Sequence, residues 1–211
     1  MNAITEHFFQ VPGGVFDQTE VAVALEGTSF RKQGLVKRAL AKDEILQIRR
    51  GLYCLAPRYQ RRPVNVYTLA QRVHGPSYVS LASALSHHGW IPEAVYTCTN
   101  VSLGPAKSFD TPLGTFSYQR VPQRVFFTSV ERSLDTEGNA YFMASPAKAL
   151  ADYVYLHRES PKRIEAIAGS LRIEQEDWTS VCTQELEALI HNYTNHRVLG
   201  FLSNWKAALP S

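Results

Sequence analysis

Several groups of residues have the types and spacing that chemistry needs. Asp135, Glu137, Lys148 and Asp152 are the ingredients of a nuclease-like carboxylate–lysine centre. Lys148 and Asp152 stand four apart in a helix-like stretch, however, and at that spacing they can simply pair with each other. His87 and His88 are adjacent. Neighbours on a helix point about 100° apart and do not form a metal pair. With no C-x-x-C or H-x-x-x-H in the chain, no zinc site is expected. Ser80, Ser83 and Ser86 lie close enough to those histidines for nucleophile–base pairs to be drawn, but serines facing a helix-packing surface are the commoner arrangement. The remaining group is basic. In ILQIRRGLYCLAP (45–57), two apolar runs flank Arg49, Arg50 and Gly51, directly behind RKQGLVKRALAKDE (31–44). This is phosphate-binding chemistry, and no catalytic, cofactor or metal residue is expected beside it.

The elements that must position these groups follow from pattern. A short helix over 3–10 stops at Pro12, Gly13 and Gly14. Asp17 or Thr19 caps a second helix to about Leu25, with Glu20 in its first turn. After the turn GTS (27–29), Thr28 or Ser29 caps a third helix to about Lys42. Leu35, Val36, Ala39 and Leu40 share its inner face, leaving Arg31, Lys37 and Arg38 outside. Gly34 inside it costs up to ~1 kcal/mol relative to Ala. A hairpin, 45–48 and 52–55, turns at Gly51, which supplies a positive φ. APRYQRRP (56–63) reads as a linker.

Beyond the linker, helices are expected over 64–74 and 77–88, the latter ending at Gly89. Strands are expected at 94–103, 114–121, 124–130 and 139–143, with GPAKSFDTPLG and DTEGN as turns. A helix over 145–157 has Ser145 as N-cap and Pro146 at its first position. Further helices are expected over 161–170, 175–193 and 196–208. Trp90, Trp178 and Trp205 read as packing anchors, and Cys54, Cys98 and Cys182 as core thiols.

Composition narrows the function classes. Of 211 residues, 45% are hydrophobic, enough for a folded core. No apolar run reaches the ~18–20 residues of a membrane span, and, with no basic and then apolar stretch in the first thirty residues, no secretory signal is expected. Three well-separated cysteines fit a reducing cytoplasm better than a disulfide framework. Residues 31–62 hold ten basic residues against Asp43 and Glu44, a net +8, which leaves −5 for the remainder of a chain whose total is +3. Such asymmetry points to a polyanion-binding portion joined to a different one.

The order helix, helix, turn, basic helix, two-stranded hairpin is that of a winged helix-turn-helix. A helix fits the major groove, and a hairpin tip with two arginines suits the neighbouring backbone or minor groove. Expected DNA contacts are Arg31, Lys32, Gln33, Lys37, Arg38, Arg49 and Arg50. The fold class expected is α+β: a winged helix over 1–60, and a domain over 63–211 with a small antiparallel sheet and surrounding helices. The second domain carries enough apolar residues to be expected to fold alone.

GLVKRALAKDEILQIRRGLYCLAP (34–57) resembles the winged-helix segment of the AbiEi family of antitoxins from type IV toxin–antitoxin systems. YVSLASALSHHGWIP (78–92), TPLGTFSYQRVP (111–122) and ASPAKALADYVYL (144–156) resemble further motifs of that family, in the same order along the chain. Where the family commonly has Gly before the first wing strand, this chain has Glu44. The resemblance implies a cytoplasmic transcriptional autorepressor and antitoxin. The N-terminal domain would bind double-stranded DNA at inverted repeats in its own promoter. The C-terminal domain would oppose a nucleotidyltransferase-like toxin, with or without direct contact. Other readings are a winged-helix regulator or docking adaptor without a toxin, and a nucleic-acid-processing enzyme using the Asp/Glu/Lys group.

Overall fold

A computed structural model describes residues 2–158 and 162–210. The chain is mixed α+β with a three-stranded antiparallel sheet and a larger six-stranded sheet. The first part runs α1 (Ala3–Phe8), β1 (Val15–Asp17), α2 (Gln18–Ala24), α3 (Ser29–Ala41), β2 (Ile45–Arg49) and β3 (Leu52–Leu55). Its strands lie in the order β1-β3-β2. Local chemistry accounts for the boundaries. Asp17 caps α2 and forms a reciprocal capping box with Glu20. Thr28 caps α3. Gly51 turns the hairpin at φ 78°, as the sequence required. Gly27, at φ 101°, makes the α2–α3 turn, and a Cβ there would come within 2.9 Å of the Arg31 side chain.

Glu44 stands at the α3–β2 junction but does not take the left-handed conformation that a glycine there would suit. The left-handed residue is Asp43, at φ 51°. Glu44 is buried, and its carboxylate accepts hydrogen bonds from the Asn2 backbone N–H at 2.7 Å and Thr5 Oγ1 at 2.5 Å. It therefore fastens α1 to the start of β2.

The second part comprises α4 (Val66–Val73), β4 (Ser77–Val79), α5 (Leu81–His87), β5 (Thr97–Ser102), β6 (Lys107–Thr111), β7 (Gly114–Gln119), β8 (Val130–Leu134) and β9 (Ala140–Ala144). It continues with α6 (Pro146–Leu156), α7 (Ile164–Leu171), α8 (Gln175–Thr179), α9 (Thr183–Asn192) and α10 (His196–Ala208). The sheet order is β6-β7-β5-β4-β9-β8. It is not the small antiparallel sheet expected: β4–β9 and β5–β7 are parallel pairs. The edge strand β6 lies between β5 and β7 in the chain, and α5 with β5 to β8 lies between β4 and β9, so hairpin-style reading of the sequence could not find these pairs.

Other boundaries moved for identifiable reasons. The expected helix 77–88 divides into β4 and α5 because Leu81 adopts φ 58°, and no Gly or Pro announces the break. Residues 124–130 are mostly turns, not a strand. Phe126 and Phe127 instead pack their rings near Tyr78, 4.9 and 6.4 Å away between centroids. Lys107–Thr111, expected as a turn, is an edge strand whose polar side chains face out. The single helix expected over 175–193 is α8 plus α9. The expected start at 161 lies outside the described residues.

Trp90, Trp178 and Trp205 are buried anchors, with Trp205 Nε1 donating to the Trp178 carbonyl at 3.0 Å. Cys54 and Cys98 are core thiols, and burial pushes them up to about 12 and about 11. Cys182 is exposed, contrary to expectation, because it precedes α9 at the surface.

The two parts share a core. Tyr53 and Leu55 of β3 face Ile4, Phe8, Phe16, Val36 and Ala39. Leu52 and Cys54 point the other way, into a cluster with Ile48, Leu69, Val73, Cys98, Phe116 and Tyr118. A strand buried on both faces reads as a continuous apolar run, which is why LYCL shows no alternation. Arg72 of α4 reinforces the seam by donating to the Val15 carbonyl at 2.7 Å and pairing with Glu20.

Candidate nucleic-acid interface

Helix α3 turns Val36 and Ala39 inward, with Leu35 and Leu40 half-buried beside them. Ser29, Phe30, Arg31, Gln33, Lys37 and Arg38 are exposed. Of the residues named from sequence, Arg31, Gln33, Lys37 and Arg38 thus share the outer surface of one helix. Lys32 is different: its ammonium group donates to the Ala22 carbonyl, capping the end of α2.

The hairpin tip is tied down on two sides. The Gln18 N–H donates to the Gly51 carbonyl at 2.9 Å, holding the tip to the start of α2. Arg49 donates to the Arg72 carbonyl at 3.3 Å and the Arg50 carbonyl at 3.2 Å. Arg49 is exposed but engaged within the protein, whereas the side chain of Arg50 makes no such seam contact and is also exposed. Positive charge also gathers here from the second part. The pKa of His74 is lowered, first by burial and then by Lys107 and Arg49. Its imidazole is therefore biased towards the neutral form beside a basic edge. Lys107 escaped the sequence reading because the segment GPAKSFDTPLG gave only turn signals, and His74 because it stands at the end of an expected helix with nothing local to name its neighbours.

The remaining sequence candidates are separated. Asp135 accepts from the Glu137 and Asn139 backbone N–H groups, both at 2.9 Å, and organises a turn. Glu137 accepts from the Gly13 N–H. Lys148 and Asp152 instead pair at 3.1 Å in the interior of the second part. Lys148 also donates to Gln123 Oε1 and to the Tyr193 hydroxyl, each at 2.6 Å. Asp152 accepts from Tyr193, Tyr78 and Ser80 at 2.6, 3.0 and 2.8 Å. Burial, then the Asp152 charge, raises both phenols well above their ordinary pKa, so they remain donors. The four residues that a nuclease-like centre would need are not brought together.

The serines and histidines are likewise engaged. Ser83 Oγ donates to the Thr97 carbonyl at 3.1 Å and Ser86 Oγ to the Glu93 carbonyl at 3.1 Å. His87 meets Tyr67 edge-on, while His88 contacts the Ala144 carbonyl at 3.0 Å. Among the described residues, no group of three or more His, Cys, Asp or Glu could hold a metal ion. Among the same residues, no helix is long and apolar enough to cross a membrane. Comparison with protein-family models finds no match for this chain, and comparison with curated proteins finds none.

Proposed function

We propose that this protein is a DNA-binding transcriptional repressor of its own promoter and the antitoxin of a type IV toxin–antitoxin pair, opposing a nucleotidyltransferase-like toxin. In this reading it is cytoplasmic, uses no cofactor and catalyses no reaction. The observation that carries the DNA-binding half is the outer surface of α3, where Arg31, Gln33, Lys37 and Arg38 are exposed while Val36 and Ala39 anchor the helix from behind. The element order α1, β1, α2, α3, β2, β3 and the strand order β1-β3-β2 support a winged helix-turn-helix with α3 as the groove-reading helix. Arginine and lysine supply phosphate contacts there, and glutamine has the bidentate geometry for adenine. The antitoxin half rests on the sequence resemblance to the AbiEi family, with residues 63–211 as its proposed seat.

The test uses the full chain. A gel-shift titration on the duplex upstream of its own coding sequence is expected to give a specific complex that unrelated duplex does not compete away. Co-expression with a neighbouring nucleotidyltransferase-like toxin is expected to restore growth. Equal affinity for unrelated duplex removes the repressor reading, and growth arrest despite full expression removes the antitoxin reading.

A further inference from the structure

Phe30 is 87% exposed at the second position of α3. A lone exposed apolar residue is ordinary on a protein surface; the position of this one is what gives it meaning. At about 100° per residue, Phe30 lies opposite Ala39, the fully buried residue of the same helix, and nearly in line with Gly34 and Lys37. It therefore stands on the face that carries the exposed polar residues. Between Phe30 and Lys37 this line has only Gly34, where an added Cβ would find nothing nearer than Arg38 Nη1 at 4.0 Å. The face thus presents a flat aromatic ring, a gap and a cation, with Gln33 beside the ring.

The major groove offers one apolar group, the 5-methyl of thymine, and phenylalanine is among the side chains that recognise it. Gln33 follows Phe30 by about 4.5 Å along the helix axis, close to the ~3.4 Å rise of one base step. Resting on the DNA-binding reading above, we infer that Phe30 is a specificity-determining residue that reads a thymine methyl, next to the base pair that Gln33 contacts. Arg31, Lys37 and Arg38 supply affinity on any sequence, and Phe30 supplies part of the choice.

The full chain is first used to select duplexes from a random-sequence pool. Each thymine of the selected duplex is then replaced singly by deoxyuridine, which removes the methyl and leaves every hydrogen-bonding group. In each half-site, one replacement is expected to weaken binding about fourfold, the value of one buried methyl-sized group. Phe30→Ala is expected to bind the thymine and uracil duplexes equally, with an unchanged salt slope and circular dichroism spectrum. Phe30→Leu is expected to keep part of the discrimination. If the selected duplex binds specifically but no uracil replacement matters, or if Phe30→Ala still discriminates, the inference is overturned while the DNA-binding reading stands. If Phe30→Ala changes the mass in solution and uracil has no effect, the ring is a protein contact and the inference is again overturned. If no duplex is enriched, both fall together.

Discussion

Lys148 Nζ and Asp152 Oδ1 stand 3.1 Å apart one helical turn along α6, and neither side chain touches solvent. Burying two charges is costly even when they are paired. Tyr193, Tyr78, Ser80 and Gln123 occupy the remaining donor and acceptor positions, joining α6 to β4, to the segment after β7 and to the segment before α10. Removing one charge leaves the other uncompensated. Lys148→Ala or Asp152→Ala is expected to cost about 3–5 kcal/mol. The double variant should cost less than the two single losses summed, since no lone charge remains. Urea titrations of all four proteins check this; additive losses would show that the pair is not acting as a unit.

Glu44 gives a second, pH-dependent expectation. The Thr5 hydroxyl first, then the Asn2 N–H, hold its carboxyl below the ordinary value of 4.5. A depressed folded pKa contributes stability that is complete above the unfolded pKa and lost as pH falls through the folded one. Glu44→Ala leaves the Thr5 hydroxyl and an N–H without their acceptor, at about 1–3 kcal/mol. The stability gap between wild type and variant should be widest near neutral pH and narrow as pH falls below the ordinary value of 4.5. Thermal melts from pH 3 to 7 measure it, and a gap that widens on acidification would contradict the role given to Glu44.

What the sequence disclosed depended on how local the signal was. Caps at Asp17, Thr28 and Ser145, the glycine turn at Gly51 and the i,i+4 pair in α6 are short-range events, and each was readable. The pairing of β4 with β9 joins distant segments, and that of β5 with β7 skips over a strand that reads as a turn; nothing in any of these strands names its partner. The break at Leu81 was invisible because a buried leucine in a left-handed conformation is held by its surroundings. At the candidate interface, basic residues on the outer face of α3 were legible from the helical wheel. Phe30 was not, since an apolar residue beside a helix start is normally assigned to the core. The engagement of Arg49 by the Arg72 carbonyl was hidden for the same reason as the parallel pairs.

On the DNA-binding reading proposed above, the basic residues should differ in what they contribute. Lys37→Ala, Arg38→Ala and Arg50→Ala each remove an exposed cation. Each that contacts phosphate should flatten the log–log salt dependence by roughly 0.9. Arg49 is held by carbonyls, and Lys32 caps α2, so their alanine variants should change the slope less and lower thermal stability more. Filter-binding titrations between 50 and 300 mM salt, about the range where such slopes are resolved, separate the two groups. Equal slopes for all five variants would remove the distinction.

Gly34 sets stability against recognition. It sits within α3 with open space where a Cβ would go, so Gly34→Ala should stabilise the protein by up to about 1 kcal/mol through helix propensity. The same methyl fills the gap between Phe30 and Lys37 on the proposed reading face, and specific DNA affinity should fall. Chemical denaturation and operator titration on one preparation test both halves. A variant that is more stable and binds equally well would show that the gap is not used.

The last expectation concerns the seam between the two parts. From sequence, residues 63–211 were expected to fold alone, because they hold ample apolar residues. The structure adds a cost to that separation. Ile48, Leu52 and Cys54 cover Leu69, Val73, Phe116 and Tyr118, and Arg72 loses the Val15 carbonyl and Glu20 when the first part is removed. Each of the larger apolar side chains left uncovered forfeits part of the ~1.5–3 kcal/mol that full burial provides. A fragment of 63–211 should therefore retain secondary structure, since the cluster around Tyr78, Leu150 and Trp205 lies wholly within it, but melt earlier than the full chain and self-associate through the exposed face. Replacing Leu69 and Val73 by Thr in the fragment should reduce association without restoring the melting temperature. Circular dichroism and sedimentation velocity give both readings. A monomeric fragment that melts with the full chain would mean that the shared cluster contributes little, and that the hairpin is free to act independently of the sheet it covers.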